Sequence, residues 1–339
     1  MPISADHVES LCRNALEAIG VSPQDASVVA DHMVEADLMG VRSHGVLRLE
    51  KYIEQIETGY IDPSGAIELE SVSPGLVRVS ANRNFGICAF SRLVPELIER
   101  SRRHGIAAGA VTDCAHTGRI GAFTEAAARD FTWAQVFGGG AHERLREVAP
   151  FGGAEGIYDT NPYAIGVPIG DGDVASADFA TSATAQGKML VHRTNKTPVP
   201  DGWIIDRHGN DATDAEAFYD GGAMLPSAGS KGGALAVVAE LMARAALGPP
   251  HELNWIMVII DLAFLADRPT YDVAAKEIKD KIEGCRPRPG FDAVMWPGQP
   301  ETLRRSEQLA SGITYTKSEQ ETIRSLADRF GLLGQFSLD

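Results

Sequence analysis

Three residues near the N-terminal end have side chains that could do chemistry together: Ser43, His44 and Arg48. An imidazole titrates near neutral pH and can give or take a proton, and a guanidinium can bind a carboxylate through two parallel hydrogen bonds. If the chain is helical through Arg48, the four-residue spacing places His44 and Arg48 on one face. Such a pair suits an enzyme that acts on a small carboxylated ketone or alcohol. A surface histidine and arginine at a helix start capped by Ser43 fits the same residues, and spacing alone favours that simpler interpretation.

Helical patterns must position this stretch. Apolar residues recur at helical intervals over residues 4–18, behind a Ser4 cap, and again over residues 23–38. Gly40 and Gly45 bracket the Ser-His stretch. We therefore expect the histidine to be exposed at a junction between helices.

A second histidine follows a predicted strand. Residues 106–111 are a short apolar run of the kind that forms a buried strand, and the chain passes from this run into a loop that contains His116. Gly118 and Gly121 lie nearby in the sequence, where backbone can approach a ligand closely. From its position alone, His116 fits a ligand-facing histidine and a polar loop residue about equally well.

The remaining pattern indicates a mixed α and β fold in one interleaved unit. The predicted strands cover residues 76–79, 133–137 and 255–264, with two strand-like runs around a turn at 170–173 and a hairpin within 203–214. The predicted helices cover residues 89–104, 121–130, 232–247 and 274–283, followed by two C-terminal helices. The helix at 232–247 is almost entirely apolar, which predicts burial, and residues 138–140 are interpreted as a turn.

The composition argues against several classes of partner. The 339 residues carry a formal net charge of -15, which argues against binding to a phosphate backbone and gives no reason to expect attachment to an anionic membrane. The four cysteines are scattered and are expected to be reduced thiols of a cytoplasmic protein. The histidines do not cluster with acids as a metal site requires. No signal peptide or membrane-spanning run is predicted.

The stretch Ser43-His44-Gly45-Val46, followed by Arg48, resembles the signature of the type-2 malate/L-lactate dehydrogenase family. That family also includes ureidoglycolate, sulfolactate and 2,3-diketogulonate oxidoreductases and cyclic imino-acid reductases. Further short motifs occur in the family's order and near its spacing, at residues 116–118, 148–153, 160–162, 178–182, 187–188, 231–232 and 297–299. Together they cover most of the chain, so the joint match is far more specific than any single motif.

The resemblance implies an α/β fold of the mixed α+β kind, in which a largely antiparallel, non-Rossmann sheet binds NAD(P)H. Accordingly, the sequence has no G-x-G-x-x-G between a strand and a helix. The implied organisation is a helical N-terminal region at 1–70 that packs with C-terminal helices at 300–339, and a sheet-rich domain at 71–299 that binds cofactor and substrate. The resemblance also implies a homodimer with the site near the subunit boundary.

The family's cofactor contacts map onto one loop and several separate positions. Asp178 would accept hydrogen bonds from ribose hydroxyls, and Lys231 would pair with a phosphate or with the bound carboxylate. Without the resemblance, a strand-end aspartate and a helix-cap lysine fit about as well. Thr160 resembles the family's substrate-pocket threonine. The implied cofactor-binding residues are His116, Thr117, Gly118, Arg119, Ile120, Asp178, Phe179, Ala180, Lys231, Gly298 and Gln299, and the sequence does not distinguish NAD from NADP.

The implied reaction is hydride transfer between NAD(P)H and a 2-keto acid or 2-hydroxy acid. His44 is favoured as the proton donor and acceptor, oriented by Ser43, while Arg48 binds the substrate carboxylate. His116 is expected to position cofactor or substrate, although some relatives assign this histidine to proton transfer. Lys188 favours a keto acid, because the cyclic imino-acid reductases tend to carry an acidic residue there. Reduction of a cyclic imine, or a catalytically weak ligand-binding role, are the alternatives.

Three departures from the family pattern bear on the substrate. Residues 141–147 replace a short polar stretch that contributes a Ser or Asn to the nicotinamide pocket of many relatives, so the amide contact is unassigned. A loop that relatives carry is missing between Pro250 and Trp255, which leaves one wall of the site open or supplied by other residues. Gly233 stands where a tyrosine often follows the Lys-Gly pair.

Overall fold

The computed structural model describes residues 2–140 and 146–335. Its helices are α1 (Ala5–Ala18), α2 (Pro23–Leu38), α3 (Leu49–Glu57), α4 (Gly86–His104), α5 (Gly121–Ala128), α6 (Gln186–Asn195), α7 (Ala215–Tyr219), α8 (Ser230–Glu240), α9 (Arg268–Glu283), α10 (Gln299–Ser311) and α11 (Lys317–Arg329). Its strands are β1 (Glu68–Ser73), β2 (Leu76–Ser80), β3 (Ile106–Thr112), β4 (Thr132–Gly139), β5 (Tyr163–Gly170), β6 (Asp173–Phe179), β7 (Ile204–Ile205), β8 (Asp211–Ala212), β9 (Ala223–Met224) and β10 (Asn254–Asp261).

Seven of the strands form one sheet in the order β1-β2-β3-β10-β4-β5-β6. Only the β2–β3 pair among them is parallel, and every other neighbouring pair is antiparallel. The short strands β8, β7 and β9 form a second, three-stranded sheet. The prediction of a mixed, largely antiparallel, non-Rossmann fold with helical ends is therefore confirmed.

The N-terminal helices form one hydrophobic core with the C-terminal segment. Ser4 and Ser22 cap α1 and α2 by accepting hydrogen bonds from backbone N–H groups three residues on. The buried faces of both helices pack with Ile313, Tyr315 and Ile323. Residues of α4 belong to the same core, and the division into a helical region and a sheet-rich domain stays a prediction.

A second core lies between the sheet and the helices α4 and α5. Alternate residues of β10, among them Trp255, Met257 and Ile259, are buried in it, as expected for a strand with one covered face. The Phe90 ring stands edge-on to Trp255, with 6.0 Å between ring centroids, and stacks on Phe123 at 4.6 Å. This packing fixes the loop that follows β3, which carries His116.

The interpretation of residues 138–140 as a turn is wrong for its first two glycines. Gly138 and Gly139 belong to β4, where they pair with Trp255 and Asn254 of β10. A Cβ atom added at Gly138 would lie 2.6 Å from the Trp255 ring, so the glycine serves the close approach of that ring. The charged segment that follows falls largely on residues 141–145, which lie outside the described residues.

The predicted burial of the apolar helix at 232–247 is also wrong. The helix α8 continues into a π-helical turn at Leu241–Ala245, and its small residues, such as Gly232, Ala236 and Ala239, face the protein. Its large apolar side chains are exposed, namely Leu235, Val237, Val238, Leu241 and Met242. Apolar composition alone does not show which face of a helix a single chain covers.

The sequence analysis did not predict two largely exposed elements, β1 and α6. All residues of β1 are exposed, so the strand has no buried face to produce an apolar alternation. All four cysteines are free. Among the described residues, no helix is both long enough and apolar enough to cross a membrane.

Candidate active site

The turn that carries His44 is built around a buried carboxylate at the end of α2. Asp37 is fully buried and accepts hydrogen bonds from the Val46 N–H at 2.8 Å and the Tyr315 hydroxyl at 2.8 Å. Arg42 adds an ion pair at 3.1 Å. A Cβ atom at Gly45 would collide with this carboxylate, so the turn requires glycine at that position.

The condition that would place His44 and Arg48 on one helical face, a helix through both residues, is not met. Two 3-10 turns, Arg42–His44 and Val46–Arg48, precede α3, because the Asp37 carboxylate holds the intervening backbone in a tight turn. The expected Ser43 cap is also absent. Its hydroxyl lies 2.9 Å from Nδ1 of His44 instead, which suits the orienting role predicted for this serine.

Residues of the C-terminal segment form hydrogen bonds that stabilise the same turn. Arg42 donates to Gln308 Oε1 at 3.0 Å and to the Thr314 carbonyl at 2.7 Å, and its guanidinium lies 4.6 Å from the centroid of the Tyr315 ring. Gln308 in turn donates to the carbonyls of Asp37 and Leu38. The turn that carries His44 therefore depends on residues from both the N-terminal and the C-terminal helical segments.

The two predicted histidines meet in space. The rings of His44 and His116 stack with 5.5 Å between centroids and 19° between planes. Burial, together with the positive charges of Arg48 and Arg119, lowers the pKa of His44 to about 4. Burial, Arg48 and His44 likewise lower the pKa of His116 well below its usual range. Both imidazoles are therefore neutral at pH 7.

The tautomer of His116 follows from its partners. Its Nδ1 atom lies 3.2 Å from the backbone N–H of Gly118, which can only donate, and 2.7 Å from the hydroxyl of Tyr52. Nδ1 is therefore the acceptor, and the ring hydrogen is on Nε2. The sequence prediction did not include Tyr52, although its four-residue spacing from Arg48 on a predicted helix was a usable signal.

Arg48 lies beside both histidines and is not fully paired. Its charge contributes to the lowered pKa values of His44 and His116. Its Nε atom is buried, and no hydrogen-bond partner for it is found among the described residues. A buried donor without a partner is costly, so this geometry suits an arginine that awaits an anionic ligand.

The loop after β3 and the strand β6 bring predicted cofactor residues together. Arg119 forms a buried, two-bonded ion pair with Glu125, with both distances 2.8 Å, and Ser176 donates to Glu125 at 2.8 Å. Asp178 accepts a hydrogen bond from the Gly121 N–H, at the start of α5, at 2.9 Å. The Arg119 guanidinium is thus occupied within the protein.

A further histidine, missed in the sequence, supports this loop from α2. His32 accepts a hydrogen bond from the Arg119 N–H at 2.8 Å and stacks on Phe123 at 5.3 Å. A Cβ atom at Gly118, which has a positive φ of 68°, would collide with the His32 ring. Glycine at 118 therefore permits both the backbone conformation and the close packing. Thr117 and Ile120 are buried on either side of this glycine.

The remaining predicted positions lie around this loop and on α8. Gly298 packs against Ser176, with its ideal Cβ position 3.3 Å from the serine Cβ, and Gln299 donates to Glu283 at 2.9 Å. Phe179, next to Ala180, is exposed and stacks with Tyr163 at 6.2 Å. The exposed Lys231 lies on the first turn of α8, and Thr160 joins this region through its carbonyl, which accepts two hydrogen bonds from Thr181.

These residues fit a dinucleotide cofactor. One oxygen of Asp178 is bonded to Gly121, which leaves its other oxygen to accept from a ribose hydroxyl. The exposed ammonium group of Lys231 is available to a phosphate or a carboxylate.

Glu252 lies between Pro250 and Trp255, where the family loop is missing, and the sequence analysis did not single it out. Glu252 precedes β10 and accepts a hydrogen bond from the Tyr60 hydroxyl at 3.2 Å. Burial, opposed by the charge of Arg48 and the hydrogen bond from Tyr60 and assisted by the charge of Asp159, raises the pKa of Glu252 to about 7. Nothing in the local sequence marked Glu252, because its relation to Arg48 exists only in the folded chain.

Comparison with known proteins identifies the relatives of this fold and site. The sequence is 30% identical to the ureidoglycolate dehydrogenase (NAD(+)) of Escherichia coli O157:H7 over 329 residues, covering 92% of each chain. It is 37% identical over 246 residues to the Δ1-pyrroline-2-carboxylate/Δ1-piperideine-2-carboxylate reductase of Pseudomonas aeruginosa, covering 73% of this chain and 72% of the relative. The structure matches the sulfolactate dehydrogenase from Methanocaldococcus jannaschii with a TM-score of 0.87 at 25% identity, covering 99% of both chains.

Together, the fold, the histidine–arginine site and these relatives define an oxidoreductase of the dehydrogenase class. The chain belongs to the malate/L-lactate dehydrogenase family, whose model matches residues 3–324. The family resemblance inferred from the Ser-His-Gly stretch is thereby confirmed.

Proposed function

We propose that this protein interconverts a small 2-keto acid and the corresponding 2-hydroxy acid with NAD or NADP as the hydride carrier. The observation that carries the proposal is the buried, unpartnered Nε of Arg48 beside the stacked pair His44 and His116. A substrate carboxylate supplies the missing partner of the arginine through charge-assisted hydrogen bonds. The carbonyl or hydroxyl carbon next to that carboxylate is then held near an imidazole.

A bound nicotinamide supplies or accepts the hydride, and the protein orients the reactants and handles the proton. His44 is the proposed proton donor and acceptor. In the free enzyme it is neutral, which is the form that accepts a proton from a 2-hydroxy acid. A carboxylate bound to Arg48 offsets the positive charge that depresses the pKa of His44, so substrate binding moves this pKa towards neutrality.

Ser43 and His116 are proposed to hold this geometry. The Ser43 hydroxyl restrains Nδ1 of His44, which fixes the ring orientation. His116 presents its Nε2–H from the neighbouring ring and positions substrate or cofactor. Thr160 is proposed to line the substrate pocket, while the loop at 116–120, Asp178 with its neighbours 179–180, Lys231 and residues 298–299 bind the dinucleotide.

Reduction of a cyclic imino acid is the second candidate. The relative with the higher identity of the two described above is a pyrroline- and piperideine-carboxylate reductase, and such substrates carry the same carboxylate that Arg48 would bind. In this reaction the proton is delivered to the ring nitrogen rather than to a ketone oxygen. The exposed Lys188 on α6 lies 5.9 Å from the Trp203 ring, so Lys188 gives no direct support to either substrate.

The experiment that tests the proposal follows reduced-nicotinamide absorbance with NADH and NADPH separately. The panel contains pyruvate, oxaloacetate and a cyclic imino acid, with His44→Ala as the variant. We expect oxidation of the reduced cofactor with a 2-keto acid and a loss of about 100-fold or more in the variant. Turnover confined to the imine would overturn the keto-acid assignment, and equal rates in both proteins would overturn the role of His44. No turnover and no nucleotide binding by titration would overturn the enzymatic function.

We also propose a cytoplasmic homodimer that covers the exposed face of α8. The side chains of Leu235, Val238 and Leu241 leave an apolar surface on this helix, and such surfaces often mark protein–protein interfaces. Light scattering should give twice the mass of the chain, and Leu241→Glu should shift the protein to a monomer. A wild-type monomer at micromolar concentration would overturn this assembly.

A further inference from the structure

Arg119 is held at its backbone and at its side chain by two different helices. Its N–H donates to Nε2 of His32 on α2 at 2.8 Å. Its guanidinium donates to the two carboxylate oxygens of Glu125 on α5, each at 2.8 Å. Both members of this ion pair are buried, so a ligand would have to break the pair to reach the guanidinium. The position of the loop at 116–120 is therefore tied to both α2 and α5.

Glu125 extends this connection to the strand β6 and to the segment before α10. The Ser176 hydroxyl on β6 donates to Glu125 Oε1 at 2.8 Å. The Ser176 N–H in turn donates to the Pro297 carbonyl at 2.9 Å. One buried carboxylate thus connects, directly or through Ser176, three separate segments of the proposed dinucleotide site. These segments contain residues 116–120, 178–180 and 298–299.

The Arg119 side chain and the Asp178 carboxylate converge around Gly121, at the start of α5. The Gly121 N–H donates to Asp178 Oδ2 at 2.9 Å. A Cβ atom added at Gly121 would lie 2.7 Å from this carboxylate oxygen and 3.0 Å from Nη1 of Arg119. The carboxylate proposed to accept from a ribose hydroxyl is therefore placed by the same set of contacts as the loop.

An ion pair fixes this arrangement more specifically than apolar contacts would. Two parallel N–H···O bonds set both the distance and the orientation between a guanidinium and a carboxylate, whereas well-packed apolar side chains of similar volume often give equal or greater stability. Burial raises the pKa of Glu125, but the hydrogen bonds and the charge of Arg119 outweigh this effect, so the pKa lies below its ordinary value and the carboxylate is charged at pH 7. The pair therefore contributes geometry more than stability.

A dinucleotide needs this geometry before it binds. Gly121 and Asp178 are 57 residues apart in the sequence, so tertiary contacts fix the distance between them. A long ligand that contacts several such segments binds more tightly when they are already ordered, because their ordering does not then oppose binding.

We propose that Arg119 and Glu125 are positioning residues for the dinucleotide, which hold the loop at 116–120 and the strand β6 at the separation that the cofactor requires. Neither charged group contacts the cofactor in this assignment, which rests on the oxidoreductase function proposed above. It replaces the direct contact expected from the Arg119 side chain with an indirect role. It also adds Glu125 and Ser176, which the sequence analysis did not single out.

Fluorescence titration with NADH and with NADPH, separately, tests this role in Glu125→Gln. The amide keeps the size of the side chain and removes the charge that pairs with Arg119. We expect Kd for the cofactor that the wild type binds to rise about tenfold. KM for this cofactor should rise by a similar factor, while kcat at saturating cofactor changes less than about threefold, because His44 and Arg48 lie on the turn held by Asp37. An unchanged Kd, or a loss of kcat with unchanged KM, would overturn the assignment.

A matched control makes the same chemical change at the other end of β6. Asp173 begins this strand and pairs with Lys279 of α9 at 2.7 Å. Asp173→Asn also replaces the acid of an ion pair by its amide, and Kd for the cofactor should stay within about twofold of the wild type. An equal rise of Kd in Asp173→Asn and Glu125→Gln would show that any weakening of β6 impairs binding, and would overturn the specific role of Glu125.

The double variant Arg119→Met/Glu125→Leu separates positioning from stability. Glu125→Gln is expected to lower the melting temperature, because it leaves the buried Arg119 without a charged partner. The apolar pair should restore the melting temperature to within about 3 °C of the wild type, while Kd stays raised by about tenfold. Recovery of tight cofactor binding together with the melting temperature would assign the pair to stability alone and overturn the positioning role.

Ser176→Ala provides a milder variant if Glu125→Gln fails to fold. It removes the hydroxyl that donates to Glu125 and keeps the backbone hydrogen bond to Pro297, so Kd should rise about threefold. An unchanged Kd in Ser176→Ala would then overturn the assignment. Cofactor binding that is equally tight in the wild type and the variants would overturn this assignment alone. No binding of NADH or NADPH by the wild type and no turnover would overturn the proposed function and this assignment with it.

Discussion

Asp37 and Glu252 are both carboxylates of the candidate site, and they differ in how their charge is compensated. Asp37 is fully buried and receives hydrogen bonds from Val46 and Tyr315 together with an ion pair from Arg42. Glu252 receives one hydrogen bond from the Tyr60 hydroxyl and faces the negative charge of Asp159.

This difference in the number of donors distinguishes a carboxylate that stabilises the fold from one whose charge is available to a ligand. A carboxylate with a full set of donors stabilises one backbone conformation and has little left to offer a ligand. A carboxylate with few donors, near an arginine with a free donor, leaves charge available for a substrate. The two kinds of residue should therefore respond differently to mutation, and the following predictions test that contrast.

The largest effect is expected at Asp37 and should appear in stability. Asp37→Ala leaves Arg42 and the Val46 N–H without their partner, and loss of one member of a buried pair costs about 3–5 kcal/mol. Denaturant unfolding should show this decrease in the free energy of unfolding. Asp31→Ala, which alters an exposed carboxylate on the same helix, should cost less than about 1 kcal/mol. An equal decrease in the free energy of unfolding in the two variants would show that Asp37 stabilises the protein no more than an exposed carboxylate does.

The next effect is expected at Arg48 and should appear in activity. Arg48→Met removes the proposed carboxylate-binding group, and loss of one partner of such a pair costs about 2–5 kcal/mol. We expect kcat/KM for pyruvate to fall by about 100-fold or more, with little change in the melting temperature. Lys51→Met, on the exposed side of α3, should leave kcat/KM unchanged. A melting temperature lowered as far as in Asp37→Ala would assign Arg48 a structural role instead.

The pH dependence of the two reaction directions sharpens the contrast, because His44 is the proposed proton donor and acceptor whereas Asp37 has no such proposed role. Reduction needs protonated His44, whose pKa in the free enzyme is about 4, so kcat/KM for pyruvate should rise about tenfold for each pH unit lowered between pH 8 and 5. Oxidation of lactate needs neutral His44, and its kcat/KM should be flat over that range. A bell-shaped profile for oxidation centred near pH 7 would contradict this assignment.

The smallest effect is expected at Tyr52. Tyr52→Phe removes the hydrogen bond to His116 and keeps the packing against Phe85, so kcat should fall by about three- to tenfold with KM nearly unchanged. Hydrogen bonding to Gly118 still favours the same tautomer in the variant. A lowered melting temperature with normal kcat would show that the hydroxyl serves stability alone.

Local signals in the sequence predicted the elements that depend on local interactions. The Ser4 cap and the apolar spacing of α1 identified that helix, and the apolar run at 106–111 identified β3. The β5–β6 hairpin follows from its Gly-Asp-Gly-Asp turn. In each case the residues that decide the structure are neighbours in the chain.

Contacts between distant segments could not be predicted from pattern. His116 and Tyr52 are 64 residues apart in the sequence, and Arg42 reaches the Thr314 carbonyl across 272 residues. Family resemblance, rather than spacing, brought His44 and His116 into one hypothesis. Glu252 lies outside the family motifs, and its hydrogen bond from Tyr60 spans 192 residues, so neither pattern nor resemblance indicated it.

The hydrogen bonds from Arg42 to Gln308 and Thr314 have a consequence for the order of synthesis. Arg42, beside His44, is translated 266 residues before Gln308, and Thr314 and Tyr315, which also hold this turn, follow later still. A nascent chain that stops before residue 308 therefore lacks the Tyr315 hydroxyl that donates to Asp37. It also lacks the two oxygen atoms, of Gln308 and Thr314, that accept hydrogen bonds from Arg42. The proposed proton-transfer geometry is therefore completed only after residue 315 has been translated.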